Sequence, residues 1–312
     1  MSAKRPGRKP QGGTGPGDGA RDDAAAPRPG GGVDPGLHLV ATPIGNAGDV
    51  TLRALEVLAG AEVIAAEDTR SARRLMEMHG IALGGRRLVP YHDRNGETAR
   101  PALLAALREG RSVALVSDAG TPLIADPGFK LVRAAAEAGL PVTALPGPSA
   151  VLAALCLSGL PTDRFLFAGF PPPRQAARRA MLAELRGLRA TLVFLESPRR
   201  TAETLADMAT VLGAGRAAAL CRDLTKRFEE VRRGALGALA EAAAAEPPRG
   251  EVVLVVGPPE AEADDDDALD AALHAALARL SPKAAVAEVA AATGRPRREV
   301  YARALALGDR GD

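Results

Sequence analysis

The chain has 312 residues, of which 46% are apolar and 3% aromatic with no Trp, and its 40 basic and 38 acidic residues leave a formal charge of +2. That length and apolar content supply packed cores for roughly two domains, while the small net charge and scarce aromatics exclude a uniformly basic nucleic-acid coat and argue against a base-stacking platform. The lone Cys156 and Cys221 offer neither a disulfide framework nor a metal cluster, and no apolar run nears the roughly 18 residues that span a bilayer, so a cytoplasmic, metal-free, soluble protein is expected.

Residues 1–36 are rich in Gly, Pro, Ala, Arg and Asp with almost no apolar side chains. Such a segment cannot offset its ordering entropy and is expected to be a disordered extension. A first domain is expected over 37–160. Leu37 to Ala41 reads as a short strand broken by Thr42-Pro43-Ile44-Gly45-Asn46, and Asp49 or Thr51 can cap a helix from Leu52. Neither this loop nor any other carries a GxGxxG or GxxxxGK[ST] fingerprint, which disfavours a dinucleotide enzyme and a P-loop NTPase. Val63 to Ala66 is the next strand, ending in Glu67-Asp68-Thr69-Arg70. Those polar groups read either as caps of the helix carrying Arg73 and Arg74 or as the wall of a site. Leu88-Val89-Pro90 leads into a polar loop with His92, which has no partner at metal-ligand spacing.

The organising stretch is Val113 to Gly128, VALVSDAGTPLIADPG. An apolar strand stops there in small and turn-forming residues, and ligands of open α/β sheets sit at that edge. Val142 to Leu145 ends likewise in Pro146-Gly147-Pro148-Ser149-Ala150, with Ser149 placed to cap the next apolar helix. This alternation predicts a mostly parallel, doubly wound sheet.

A second α/β domain with a mixed sheet is expected over 161–258. It opens after Leu160-Pro161 and contains an Arg-rich amphipathic helix, Arg174 to Leu188, and strands at Thr191–Leu195, Ala217–Cys221, Phe228–Val231 and Glu251–Gly257. Residues 259–267 read as an acidic linker. Three helices over 268–312 follow, with Arg295, Arg297, Arg298 and Arg303 on a basic last helix reminiscent of a helix-turn-helix.

Eight stretches in order, VATPIGNAGDVTLRALEVL, AEDTR, SDAGTPLIADPG, ALPGPSA, FAGFPP, FLESPRR, CRDLTKRFEE and RGEVVLVVG, resemble the tetrapyrrole methylase superfamily. Within it, the resemblance is to the branch that 2′-O-methylates the ribose of a decoding-centre cytidine in 16S rRNA. The resemblance implies a two-domain α/β fold with a small C-terminal helical domain and S-adenosylmethionine in the cleft between the domains. Carried over by position, the cofactor would contact Pro43, Ile44, Asp118, Ala119, Gly120, Thr121, Ile124, Ser149, Ala150 and Leu195. It also implies 16S rRNA within the 30S subunit as substrate, and a homodimer.

Attack by a ribose hydroxyl calls for a proton acceptor or a cation beside the developing oxyanion. Lys226 and Glu67 are nominated first, then Asp68, Arg70 and Glu229, with structural ion pairing the rival role for each. Arg174, Arg178, Arg179, Arg199 and Arg200 are candidate phosphate contacts. Two other readings stay open, a methylase acting on a tetrapyrrole and a non-catalytic RNA-binding assembly factor.

Overall fold

The computed structural model describes residues 32–125, 127–259 and 263–308. Short apolar runs closed by Gly, Pro and capping residues form the first sheet from β1 (Gly36–Val40), β2 (Val63–Ala66), β3 (Arg87–Pro90), β4 (Ser112–Val116) and β5 (Val142–Leu145). All neighbours are parallel, in the order β3-β2-β4-β1-β5. The chain steps one way from β1 to β3 and back the other way to β5. Right-handed crossovers therefore put α1 (Leu52–Gly60) and α2 (Thr69–Met78) on one face, and α3 (Gly96–Arg108) and α4 (Phe129–Glu137) on the other.

Alternation along the strands completes both layers. Val40, Ile64, Ala66, Ala114 and Val116 meet α1 and α2, while Leu37, Val63, Ala65, Val113 and Leu115 meet α3 and α4. Thr51 and Asp68 supply the side-chain caps of α1 and α2.

The second sheet follows α5 (Ala150–Ser158) and is built from β6 (Phe165–Gly169), β7 (Thr191–Glu196), β8 (Ala217–Arg222), β9 (Glu230–Ala235) and β10 (Val252–Val256). Its order is β6-β7-β10-β8-β9, and only β6 and β7 run parallel. Three helices, α6 (Gln175–Leu185), α7 (Thr201–Leu212) and α8 (Leu236–Ala245), cover one face of it around Phe194, Leu220 and Leu254. The opposite face, with Val193, Ala219, Cys221, Val253 and Val255, receives Val151, Ala154 and Leu155 of α5. Ile44, from the loop after β1, joins the same cluster and is 8% exposed. An apolar helix and one isoleucine thus seal the two lobes together.

The C-terminal helices α9 (Ala263–Leu277), α10 (Pro282–Thr293) and α11 (Arg297–Gly308) share a separate core of Leu269, Leu273, Val286, Val289 and Val300.

Several expectations are corrected. β1 begins at Gly36, inside the segment expected to be disordered, because Gly36 and Leu37 donate backbone hydrogen bonds to Arg111 and Pro141; residues 1–31 of that extension lie outside the described residues. The acidic run Asp264–Asp267, expected as linker, belongs to α9. Residues 260–262 of the expected linker lie outside the described residues. The strand expected at Phe228 starts at Glu230, since Phe228 sits in a turn. Helix α8 was not anticipated, although its Ala-rich sequence has high helix propensity.

Candidate functional site

Parallel strands deliver their following loops to one edge, and here those loops are bonded to one another. Thr42 and Gly120 exchange two backbone hydrogen bonds of 2.9 Å, tying the loop after β1 to the loop after β4. Thr42 Oγ1 donates to the Ser117 carbonyl at 3.2 Å, and Ser117 Oγ to the Gly120 carbonyl at 3.0 Å. Thr121 Oγ1 reaches the Pro148 carbonyl in the loop after β5 at 3.1 Å. The Asp68 N–H donates to Asp118 Oδ1 at 2.9 Å and brings in the loop after β2. The loop after β4 carries left-handed backbone at the non-glycine Leu123 and Ala125, with φ of 74° and 62°, a strain that the surrounding bonds must hold.

The second lobe closes on this edge through the loop after β8. Asn46 N–H donates to Thr225 Oγ1 at 3.1 Å. A Cβ on Gly45 would lie 2.5 Å from Lys226 Cγ and 2.8 Å from Thr225 Oγ1, so the loops meet where only glycine fits.

Between the lobes lies a cleft of about 350 Å³. The loop after β1 contributes Pro43, Ile44 and Gly45, and the loop after β4 contributes Ser117, Asp118 and Ala119. Ser71, Arg74, Leu75 and Met78 of α2 form the side, and Lys226 and Glu251 close it from the second lobe. Of the nominated residues, Pro43, Ile44, Asp118, Ala119 and Lys226 therefore come together. Gly120, Thr121 and Ser149 stand behind the lining and hold the loops, with Ser149 Oγ capping α5. Ala150 and Leu195 pack against the interlobe core, and Ile124 is exposed.

The charged nominees divide by environment. Lys226 Nζ lies 3.0 Å from Glu251 Oε2 and 3.3 Å from Asp223 Oδ1. Partial burial works to lower its pKa, but bonds to these two carboxylates outweigh it and raise the ammonium above its ordinary value. Burial foremost, then the charge of Asp118, pushes the Glu67 carboxyl up, against a stabilising N–H from Asp118. Asp68 accepts from the Arg70 N–H at 2.8 Å and from Arg70 Nη2 at 2.6 Å, bonds that hold its carboxyl down at about 2. Asp68 and Arg70 are thus a helix cap and its ion pair. Glu229 accepts from Thr225 N–H at 2.7 Å and closes a turn. His92 lines a separate cavity of about 180 Å³ with Tyr91, Arg100 and Phe129.

Residues missed from sequence include Arg74, Met78 and Glu251. Arg74 is exposed and has no ion pair among the described residues, and its spacing of four from Arg70 was the available signal. The candidate phosphate contacts of the second lobe need correction. Arg178 is 1% exposed and lies 2.6 Å from Asp207, which also takes Arg179 at 2.6 Å. Arg200 binds the buried Glu196 at 2.6 Å. Buried carboxylates engage these three guanidinium groups, leaving Arg174 and Arg199 exposed.

Comparison with known proteins agrees with this architecture. Residues 36–240 match the family model described as tetrapyrrole (corrin/porphyrin) methylases, and residues 262–308 match the RsmI C-terminal HTH domain. The chain is 51% identical over 278 residues to a ribosomal RNA small subunit methyltransferase I of Mesorhizobium japonicum, covering 89% of this chain and 94% of that one. It is 51% identical to the protein of the same name from Micromonospora olivasterospora, over 85% of each chain. Among solved structures, a uroporphyrin-III-C-methyltransferase of Thermus thermophilus aligns with TM-score 0.50 and 26% identity over 71% of this chain and 93% of that one. The methyltransferase CobJ aligns with TM-score 0.55 at 22% identity, a likeness of fold, over the same shares of each chain. The chain belongs to the tetrapyrrole (corrin/porphyrin) methylases and is a methyltransferase whose methyl donor is S-adenosylmethionine.

Proposed function

We propose that the protein transfers a methyl group to the ribose 2′-hydroxyl of a decoding-centre cytidine in 16S rRNA, within the small ribosomal subunit. The observation that carries this is the pairing of a methylase cleft with an appended helical unit, in a chain half identical over nearly its whole length to small-subunit rRNA methyltransferases. Exposed Arg74 at the cleft supplies positive charge that an RNA backbone needs on a nearly neutral protein.

The lining fits the donor. A volume of about 350 Å³ is in the range of small-molecule sites. Ile44, Val116, Leu75 and Met78 give it an apolar wall, while Asp118 and Glu251 offer carboxylates to a positively charged ligand. Pro43, Ile44, Asp118 and Ala119 would hold the donor directly, with Gly120, Thr121, Ser149, Ala150, Ile124 and Leu195 shaping the loops and wall behind. When bound, it supplies an electrophilic methyl group on a sulfonium.

The chain's own residues then position and deprotonate the hydroxyl. Lys226, with its ammonium stabilised, is a cation at neutral pH and donates to the developing oxyanion; it is not a proton acceptor. Glu67, whose N–H donates to the Val116 carbonyl at 3.2 Å behind the cleft lining, is the candidate acceptor, its carboxyl pushed up by burial and by Asp118. A cytoplasmic location and a homodimer belong to the same reading.

Purified protein is incubated with labelled S-adenosylmethionine and either unmethylated 30S particles or uroporphyrinogen. Label in a single cytidine of the RNA, resistant to alkaline hydrolysis at its 3′ side, is expected. Label in the tetrapyrrole alone would overturn the assignment.

A further inference from the structure

The turn Lys226–Glu229 is closed by a hydrogen bond from Glu229 N–H to the Lys226 carbonyl at 3.1 Å. Its two central residues, Arg227 and Phe228, therefore stand at the tip. Phe228 is 67% exposed, more than any other aromatic among the described residues. The Arg227 guanidinium lies 5.5 Å from its ring centroid, the geometry of a cation–π pair. An apolar ring in this position gains nothing from water.

The turn is held firmly. Asp223 and Thr225 adopt left-handed backbone, φ 48° and 65°, which non-glycine residues sustain only when neighbours fix them. Those neighbours are present. Asp223 N–H donates to the Glu251 carbonyl at 3.0 Å, Lys226 N–H to the Asp223 carbonyl at 2.9 Å, and Thr225 N–H to Glu229 Oε2 at 2.7 Å. Gly250 leaves room for the Asp223 carboxylate, with which any Cβ there would collide. The ring is thus presented on a preorganised support two residues beyond Lys226, which lines the cleft.

Resting on the RNA reading above, we propose that Phe228 is a base-stacking residue, its ring receiving an unstacked nucleobase at or next to the methylated nucleotide. A nucleotide drawn between two lobes leaves its stack, and an aromatic face replaces the stacking it loses. Arg227 beside the ring supplies positive charge for an adjoining phosphate. The scarcity of aromatics in the whole chain does not bear on one ring two residues from a lysine that lines the cleft.

The test measures kcat/KM on unmethylated 30S particles together with S-adenosylmethionine affinity by calorimetry and mass by sedimentation. Phe228→Ala is expected to lose roughly 5- to 150-fold in kcat/KM, the range of one base–aromatic stack, with donor affinity and mass unchanged. Phe228→Tyr keeps a π-face and should stay within about twofold, whereas Phe228→Leu keeps only bulk and should behave like the alanine variant. Phe228→Ala should leave the salt dependence of RNA binding unchanged, while Arg227→Ala reduces its log–log slope by about one. Full activity of Phe228→Ala, or rescue by leucine, would overturn the proposal. So would a smaller sedimenting species for Phe228→Ala, which would assign the ring to a contact between copies. Inactivity of the wild-type protein on 30S particles would sink the RNA reading and this inference together, whereas an active wild type with an unaffected alanine variant overturns only the latter.

Discussion

Two arginine-bearing helices look alike in sequence and differ in use. Helix α6 carries Arg178 and Arg179, and α2 carries Arg73 and Arg74. On α6 the guanidinium groups turn inward to the buried Asp207, which they approach to 2.6 Å. On α2 they face solvent with no ion pair among the described residues, and Arg74 borders the cleft. The first pair fixes α6 to α7; the second is available to a polyanion. On these two helices, the guanidinium groups left open to a ligand are those for which the fold has supplied no carboxylate.

Substitutions can sharpen or break that contrast. The largest effect is expected for Asp207→Ala, which leaves the buried Arg178 with the exposed Glu203, 3.8 Å away, as its remaining carboxylate among the described residues. A loss of about 3–5 kcal/mol in denaturant unfolding is expected, and a loss below about 1 kcal/mol would remove the structural role of the pair. Lys226→Ala stands between the two cases, since its ammonium is paired yet lines the cleft. It should bind S-adenosylmethionine normally by calorimetry and lose about 10²–10³-fold in single-turnover methyl transfer. Normal turnover would take Lys226 out of the mechanism.

Gly45→Ala tests the closure of the lobes, because the new Cβ falls 2.5 Å from Lys226 Cγ. A destabilisation of about 1–3 kcal/mol together with weakened donor binding is expected. Arg74→Ala should change stability by less than about 0.5 kcal/mol and lower the salt slope of RNA binding by about one. If its melting temperature fell as far as that of Asp207→Ala, the distinction between the helices would be wrong.

The smallest effect is in acid. Burial works to raise the Asp207 carboxyl, but hydrogen bonds from Arg179 and Arg178 hold it below its ordinary 3.8. A group depressed on folding contributes stability that is fully present above 3.8 and is lost as the pH falls through its folded value. Asp207→Asn should flatten that acid limb in a pH series of melting temperatures, and should leave the neutral-to-alkaline side of the curve unchanged in slope.

Much of this was legible from residue order. The strand-to-loop breaks after Val40, Ala66, Val116 and Leu145 placed the site edge, since apolar runs ending in Gly, Pro and capping residues are local signals. Helix α5 and the Ala-rich α8 show where that ran out. A helix apolar all round is ambiguous in sequence, and α5 resolves only because the second sheet offers Val193, Val253 and Val255 to one side of it. Asp68 reads in sequence as cap or site wall, and its bonds to Arg70 show the cap.

The sequence by itself determined the order of elements in the first lobe, its parallel sheet and the family, because periodicity, turn chemistry and ordered motifs are carried by near neighbours in the chain. Tertiary structure alone decided which charges meet. Glu251 reaches Lys226 across 25 positions, and Asp207 reaches Arg178 across 29, and no local pattern encodes such pairings. Whether an ionic group is a structural tie or a free contact depends on what the fold sets opposite it.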